Sequence, residues 1–364
     1  MNSYRRTAAF TLVEVLVSAA IVVVLMGIMI SMTDQTQRLM RSTSAKVEQF
    51  QVARVGFEAM TRRLAQATLN TYWDYKYGKN GLPETYQRSA ELRFATGLTT
   101  TLTGGSGANG NIRPGHGVFF HLPNGSVEDQ VAFGSLDHLI NVAGYFVEIG
   151  SDKDTLPAFL EKFVPARKRY RLMEMMQPSE KLKTYKYDIA SSPAYWFAPL
   201  VTGTDRPVRV LAENVVALIV LPRLSVADEV QWMRDTGKDP KDAKNRPVLA
   251  PLYSYDTTND KVVDPVLNPR NQLPPVIQVA MVAVDEPGGK LLEDKFGSDP
   301  YLGINYSSLF RDPKILEDDP ATSAPNDGDL SKLEAILTKN RVTYRIFTTN
   351  VSVRGAKWSR SQIR

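Results

Sequence analysis

The sequence contains no cysteine and only three histidines in 364 residues. Without thiols the chain can form no disulfide, no cysteine zinc site and no iron–sulfur cluster, and it has no thiol nucleophile. His116, His121 and His138 leave few candidates for a metal centre or a general base. The net charge of +5 is too small an excess to indicate a nucleic-acid-binding protein. With 43% apolar residues the chain is too hydrophobic for a disordered protein, so a sizeable folded core is expected.

Charge is also scarce near the N-terminus, where residues 10–32 carry a single charged side chain, Glu14. A helix needs about 20 mostly apolar residues to cross the hydrocarbon layer. A secretory signal explains the run less well, because its apolar region spans about 7–15 residues and ends at a small-x-small site. The sequence therefore predicts a transmembrane helix over residues 10–32. Glu14 is then either held at headgroup level or paired with a cation from another chain.

The segment from Phe10 to Val17, FTLVEVLV, follows a short basic leader and resembles the processing site of type IV prepilins and type II secretion pseudopilins. The resemblance implies that residues 1–9 are a leader and that a membrane aspartyl peptidase, the prepilin peptidase, cuts between Ala9 and Phe10 and methylates the new amino group. It also implies that Glu14, at mature position five, helps to dock each subunit into a filament. Ala9 stands where the family usually has glycine.

A second pattern predicts that the helix continues beyond the membrane. Residues 33–46 are polar and contain no proline or glycine, so nothing there ends a helix. Apolar residues then recur at helical spacing, which predicts a face packed on a core: Phe50, Ala53, Phe57, Met60, Leu64 and Ala67. We expect residues 33–71 to form an amphipathic stalk helix, helical to about residue 69, that packs on the head.

Residues 72–364 change to short strand patterns separated by turn residues, which predicts a mainly antiparallel α+β head. The predicted strands are 91–95, 117–122, 130–133, 145–149, 170–175, 215–222, 276–284, 342–348 and 351–353. Short helices are predicted at 136–142, 158–163 and 330–339, the last capped by Asp329 or Ser331. The Pro- and Asp-rich segments at about 235–275 and 311–329 are expected to be surface insertions.

The order of a long helix and a large β-rich head resembles the minor pseudopilin of the J type. Three strings are similar to the prepilin-like group called Verru_Chthon cassette protein C: VARVGFEAMTRRL at 52–64, ATLNTYWDY at 67–75 and RLMEMMQPSE at 171–180. The resemblance implies a pseudopilin-like fold for the head and other prepilin-like subunits as partners.

Other motifs for chemistry are incomplete. The glycine-rich segment 103–111 lacks the Gly-Lys-Ser/Thr of a phosphate-binding loop. His116 and His121 are predicted on opposite faces of one strand, where they cannot bind one ion. Asp152 and Asp154, like Asp327 and Asp329, place oxygens two residues apart without the rest of a calcium loop. The basic run 167–171 could contact phosphates, but a strand edge that discourages pairing is the preferred explanation, so no nucleic acid is expected as a partner.

The resemblance implies a minor subunit of a type II secretion or type IV pilus-like filament, and the incomplete motifs add the expectation that it is non-enzymatic, without a cofactor or metal. The apolar run predicts a single span in contact with lipid, and the resemblance implies the bacterial inner membrane with the head on the periplasmic side. The competing hypothesis is an uncleaved single-pass, membrane-anchored extracytoplasmic binding protein or hydrolase. Loss of the nine leader residues from the mature chain would separate the two.

Overall fold

The protein is described here by a computed structural model. The residues whose placement it describes are 11–104, 110–133, 139–153, 159, 163, 165–182, 184, 194–203, 206–240, 242, 245–259, 261, 262, 264, 266–318 and 327–358. A long N-terminal helix is followed by antiparallel sheets and short helices, which confirms the predicted α+β class.

The N-terminal helix, α1, is Leu12–Leu64. The chain divides into two compact units, Met1–Gln49 and Phe50–Arg364, and α1 supplies residues to both. In the described part of the chain, α1 is the one helix that is long and apolar enough to cross a membrane, judged by length and composition. The helix ends at Leu64 rather than near residue 69, because tertiary hydrogen bonds take over: the Thr68 amide donates to His121 O (2.9 Å) and the Arg354 amide donates to Ala65 O (3.0 Å).

The strands form three sheets, and every strand pairing in the described residues is antiparallel. A six-stranded sheet has the order β7-β6-β5-β4-β3-β9, a three-stranded sheet has the order β11-β10-β8, and β1 and β2 form a separate hairpin. The strands are β1 Tyr72–Tyr77, β2 Pro83–Ser89, β3 Phe94–Leu98, β4 His116–Pro123, β5 Ile140–Ser151, β6 Lys168–Gln177, β7 Val208–Glu213, β8 Val215–Arg223, β9 Tyr255–Asp256, β10 Val276–Val284 and β11 Tyr344–Ser352.

The remaining described helices are short: α2 Thr99–Thr103, α3 Gln130–Phe133, α4 Ala198–Thr202, α5 Val226–Asp235, α6 Glu286–Phe296 and α7 Asp329–Lys339. Side-chain caps begin three of them: Asp129 accepts from the Val131 and Ala132 amides at α3, Ser225 from the Asp228 amide at α5, and Asp285 from the Gly288 amide at α6. The predicted cap of α7 is wrong. Its N-cap is Gly328, and the Asp329 carboxylate instead accepts from the Phe310 amide at 2.7 Å.

The two faces of the six-stranded sheet bury separate apolar clusters. The alternation along β4 shows this, because Val118 and Phe120 join the main core whereas Phe119 joins the smaller cluster. The main core also takes in residues of α1, β8 and β10. In the smaller cluster the ring of Phe119 stacks on Phe197, with centroids 4.1 Å apart.

Other local predictions are also wrong, among them the two strands at 342–348 and 351–353, which form the single strand β11. Residues 130–133 form α3 instead of a strand, and residues 140–142, predicted as helix, belong to β5. The third strand begins at Phe94, not at residue 91. The segment 235–275 is not confined to the surface. It supplies β9, which pairs with β3, and its buried apolar residues are Leu249, Ala250, Tyr253, Tyr255 and Leu273.

Candidate assembly site

The first turn of α1 is closed by a reciprocal pair of side chains. Glu14 Oε2 accepts from the Thr11 backbone N–H at 3.0 Å and from the Thr11 hydroxyl at 3.0 Å. In return, the Glu14 backbone N–H donates to Thr11 Oγ1 at 3.4 Å. This arrangement is a capping box, in which the side chain of the third helical residue accepts from the backbone amide of the N-cap residue. The N-cap side chain in turn accepts from the amide of the third residue. The sequence pattern Thr-x-x-Glu could have revealed it, but the prediction considered Glu14 alone.

The capping box uses one oxygen of the Glu14 carboxylate. Within the described residues no hydrogen bond reaches Oε1, and the side chain is exposed. An acceptor at this position can receive a donor from another molecule. Ala9 and Phe10, the residues of the predicted processing site, lie outside the described residues.

The rest of the N-terminal unit presents an apolar surface. From Leu12 to Met32 the large aliphatic side chains are each more than half exposed, including Leu12 at 77% and Val23 at 70%. A water-exposed apolar surface of this length is costly, and lipid or neighbouring helices would remove that cost.

The second part of α1, from Phe50, packs into the head unit. Ala53, Phe57, Met60 and Leu64 are buried, and Phe50 is partly buried against the same core. The Phe57 ring lies 5.9 Å from that of Phe347 in β11, centroid to centroid.

A buried carboxylate also joins α1 to the six-stranded sheet. Glu174 in β6 has no solvent exposure and accepts from the Tyr145 hydroxyl at 2.7 Å. Arg63 of α1 pairs with the same oxygen, Oε1, while Arg209 of β7 donates from Nε to Oε2 at 2.5 Å. The two guanidinium groups neutralise the carboxylate, and the phenol adds a hydrogen bond to it, as a buried carboxylate requires. Sequence reasoning missed this cluster because its members are far apart along the chain.

The basic run 167–171 leads into the end of β6 that pairs with β5 alone, because the pairing of β6 with β7 starts at Arg171. This position agrees with the predicted strand edge. Acidic side chains pair with two of its cations. Arg167 pairs with Glu286 and Glu293, and Arg169 pairs with Asp152 and Glu286. Burial alone would raise the pKa of Glu286, but the Asn214 amide and the charges of Arg169 and Arg167 lower it below its usual value. The other two cations contact backbone carbonyls: Lys168 donates to Gly297 O at 2.9 Å and Arg171 donates to Ser151 O at 3.0 Å.

The histidines of β4 point to opposite faces of the sheet, as predicted, and both are fully buried. His116 Nε2 lies 3.1 Å from Phe310 O, and His121 Nε2 lies 2.7 Å from Thr184 Oγ1. Burial lowers the pKa of each ring to about 4, so both are neutral at pH 7. His138 lies outside the described residues.

One member of each acidic pair, Asp152 or Asp329, bonds within the fold, and Asp154 lies outside the described residues. Asp152 accepts from the Arg167 amide at 2.6 Å and from Arg169 Nε at 2.8 Å. Asp329 is buried and binds Lys332 at 3.0 Å in addition to the Phe310 amide. In the part of the chain that the structure describes, no group of three or more histidine or acidic side chains is placed to hold a metal ion.

A cleft of about 370 Å³ lies between the end of β8, the start of β10 and the segments 246–249 and 313–318. Its polar lining is internally bonded. Arg223 donates to Gln278 at 3.2 Å, and Gln278 donates to Glu317 at 2.6 Å.

Comparison with known proteins gives one match. The model of the prokaryotic N-terminal methylation motif matches residues 4–30, which include the capping box and most of the apolar surface. No curated protein and no solved structure matches the chain significantly. The motif supports a type IV prepilin-like protein that is anchored in a membrane by its N-terminal helix, processed by a prepilin peptidase and assembled with other pilin-like subunits.

Proposed function

We propose that the protein is a non-enzymatic minor pseudopilin, similar to the J type and to the Verru_Chthon cassette protein C group, in a type II secretion or type IV pilus-like filament. The observation that carries the proposal is the Glu14 carboxylate in an otherwise apolar helix surface, within a segment that matches the methylation motif. The head would then lie on the periplasmic side of the inner membrane.

The mechanism is polymerisation through α1. After cleavage before Phe10, the new amino terminus of one subunit donates to the Glu14 carboxylate of a neighbour. The exposed aliphatic side chains from Leu12 to Met32 pack against lipid or against the same surface of adjacent helices. A carboxylate near hydrocarbon costs a few kcal/mol unless it is paired. Pairing therefore favours the arrangement in which the two subunits are docked over the one in which Glu14 has no partner.

Two substitutions at Glu14 separate its charge from its capping role. Glu14→Gln keeps an oxygen acceptor for the Thr11 amide, because glutamine also serves at this position of a capping box. Glu14→Leu removes both the charge and the acceptor and makes membrane insertion easier. We expect both variants to reach the membrane and both to be lost from the filament fraction.

Glu48→Leu is the matched control, because Glu48 is an exposed residue of α1 outside the apolar run. It should be incorporated normally. If Glu14→Gln is incorporated normally while Glu14→Leu is lost, then the cap of the helix matters and charge pairing with a neighbour does not. Normal incorporation of Glu14→Leu as well would remove the role proposed for Glu14.

The cleft beside β8 supports a second candidate, a tethered binding protein, because it has both apolar and charged lining residues. In that case the chain would keep residues 1–9 and would function without neighbouring subunits. Substituting Gln278→Leu in the cleft would then abolish function, whereas Glu14→Leu would leave it intact.

A further inference from the structure

The hairpin of β1 and β2 carries an exposed row of aromatic side chains on one face. Tyr75 pairs with Tyr86 and Trp73 with Arg88 across the hairpin, so strand alternation places these four side chains together with Tyr77. The ring of Tyr75 lies 4.9 Å from that of Tyr86 and 6.2 Å from that of Tyr77, centroid to centroid. Each of the four aromatic residues is between 40 and 60% exposed. We call this surface the aromatic face.

The aromatic face is held in place before any partner arrives. Arg88 lies over the Trp73 ring at 5.8 Å and donates to Gln272 Oε1 at 2.6 Å and to Lys357 O at 3.1 Å. The Asn271 side chain donates to the Arg88 carbonyl at 2.7 Å. A preorganised surface loses little conformational entropy on binding.

The composition fits a protein partner better than a nucleic acid. Tryptophan, tyrosine and arginine are the residues that contribute most to protein interfaces. A site for single-stranded nucleic acid combines stacking rings with a basic groove along the backbone. Here Arg88 is held by the contacts just described, and Lys76 lies on the opposite face of the hairpin. Within the described strands β1 and β2, Arg88 is therefore the one cation on the aromatic face, so these strands offer rings for stacking without a row of cations beside them.

The size of the aromatic face determines which protein can bind. Four aromatic side chains of this exposure present roughly 400 Å², within the range of functional patches but about half of what one partner contributes to a stable interface. Such a contact is weak between free molecules. It becomes effective when the partner is held nearby by a second attachment, as in a common membrane.

We propose that the aromatic face docks the head of a neighbouring prepilin-like subunit anchored in the same membrane. This inference rests on the proposed function, since the shared anchor supplies the second attachment. The face would add a head-to-head contact to the helix packing around Glu14.

Site-specific photocrosslinking of the full chain in its own membrane tests the inference. The photoreactive residue replaces Tyr75 or Tyr86 on the aromatic face, or Lys76 on the opposite face of the same hairpin as the control. A separate probe at Val52, exposed on α1, reports the helix packing on which the proposed function depends. Adducts are identified by mass spectrometry.

We expect the probes at Tyr75 and Tyr86, but not the probe at Lys76, to trap a protein that carries a prepilin N-terminus. The double variant with Tyr75→Ala and Tyr86→Ala should lower the yield of the Val52 adduct, or the amount of protein incorporated into filaments, by about tenfold or more. Its melting temperature should not change. Lys76→Ala should leave both unchanged.

The inference is overturned if the Tyr75 and Tyr86 probes trap nothing, trap lipid, glycan or nucleic acid, or label no more than the Lys76 probe. If the Val52 probe still traps prepilin-like subunits in that case, the proposed function stands without the head contact. If neither surface traps such a subunit, the proposed function fails as well.

Discussion

Single buried charges connect the elements of the head, and Glu174 shows the effect most clearly. Its carboxylate is fully buried, accepts a hydrogen bond from Tyr145 of β5, and forms ion pairs with Arg63 of α1 and Arg209 of β7. Exposed ion pairs contribute far less, because water screens them and their side chains lose entropy. The pair of Arg54 and Glu58 on α1 is of this second kind, with both side chains more than half exposed.

Replacing Glu174 by alanine leaves two guanidinium groups and a buried phenol without their acceptor. Because the arginines retain access to water, the main cost is the buried Tyr145 hydroxyl left without an acceptor, and we expect a loss of about 1–3 kcal/mol in the free energy of unfolding. Glu58→Ala should cost less than about 1 kcal/mol. Urea midpoints of the detergent-solubilised variants measure both values, and equal midpoints would show that the Glu174 cluster does not stabilise the fold.

The two buried histidines make stability depend on pH. In the unfolded chain a histidine binds a proton near pH 6.5, whereas burial lowers the folded pKa of His116 and His121 to about 4. The unfolded state therefore binds more protons between these values. Stability should be complete above about pH 6.5 and should fall as the pH drops towards 4, by about 3 kcal/mol for each histidine.

Chemical denaturation at pH 7, 6 and 5 checks this dependence. Replacing His121 by glutamine should reduce the slope between pH 6.5 and 5, whatever its effect on stability at pH 7. A slope that does not change in this variant would show that His121 is not the titrating group.

At the scale of elements, α1 between Phe50 and Leu64 is held by side chains at helical spacing. Phe57 is 6% exposed and contacts Phe347, while Val55, two residues before it, is 65% exposed. Gly56, between Val55 and Phe57, faces β7, and a Cβ added there would meet the side chains of Leu211 and Ala212 at 3.4 Å, an ordinary contact distance.

Phe57→Ala should therefore cost about 3–5 kcal/mol, because it removes a buried ring and leaves a cavity. Val55→Ala should change stability by less than about 0.5 kcal/mol. Thermal or urea unfolding compares the two variants. If they unfold at the same midpoint, this part of α1 does not pack on the head.

The sequence could predict elements that depend on local periodicity and could not predict pairings between distant segments. The spacing of Phe50, Phe57 and Leu64 indicates a packed helix face without any knowledge of the head. By contrast, Arg63 and Glu174 are separated by 111 residues, and no local pattern joins them. The same reason explains β9, two residues whose strand character comes only from pairing with β3. The capping box of Thr11 and Glu14 is local and was available to sequence reasoning.

In the whole molecule, the two units differ in the surface that they expose. The N-terminal unit exposes aliphatic side chains throughout its apolar run, whereas the head unit, from Phe50, contains both apolar clusters. The sequence contains no cysteine, so folding of the head needs no oxidising compartment.

A fragment that begins near residue 35 should consequently be a soluble, folded domain. It retains the packed residues of α1 and lacks the apolar run. Circular dichroism and a cooperative urea transition, unchanged by a reducing agent, measure the expected result. An aggregated or unfolded fragment would show that the N-terminal unit is needed for the head to fold.

The intact mass of the membrane-extracted protein decides whether the chain is a processed, prepilin-like subunit. In cells with an active prepilin peptidase, the mass should correspond to a chain that begins at Phe10 with one added methyl group. In cells without the peptidase, residues 1–9 should remain. A chain that keeps residues 1–9 in both kinds of cell would contradict processing and favour the uncleaved, tethered protein.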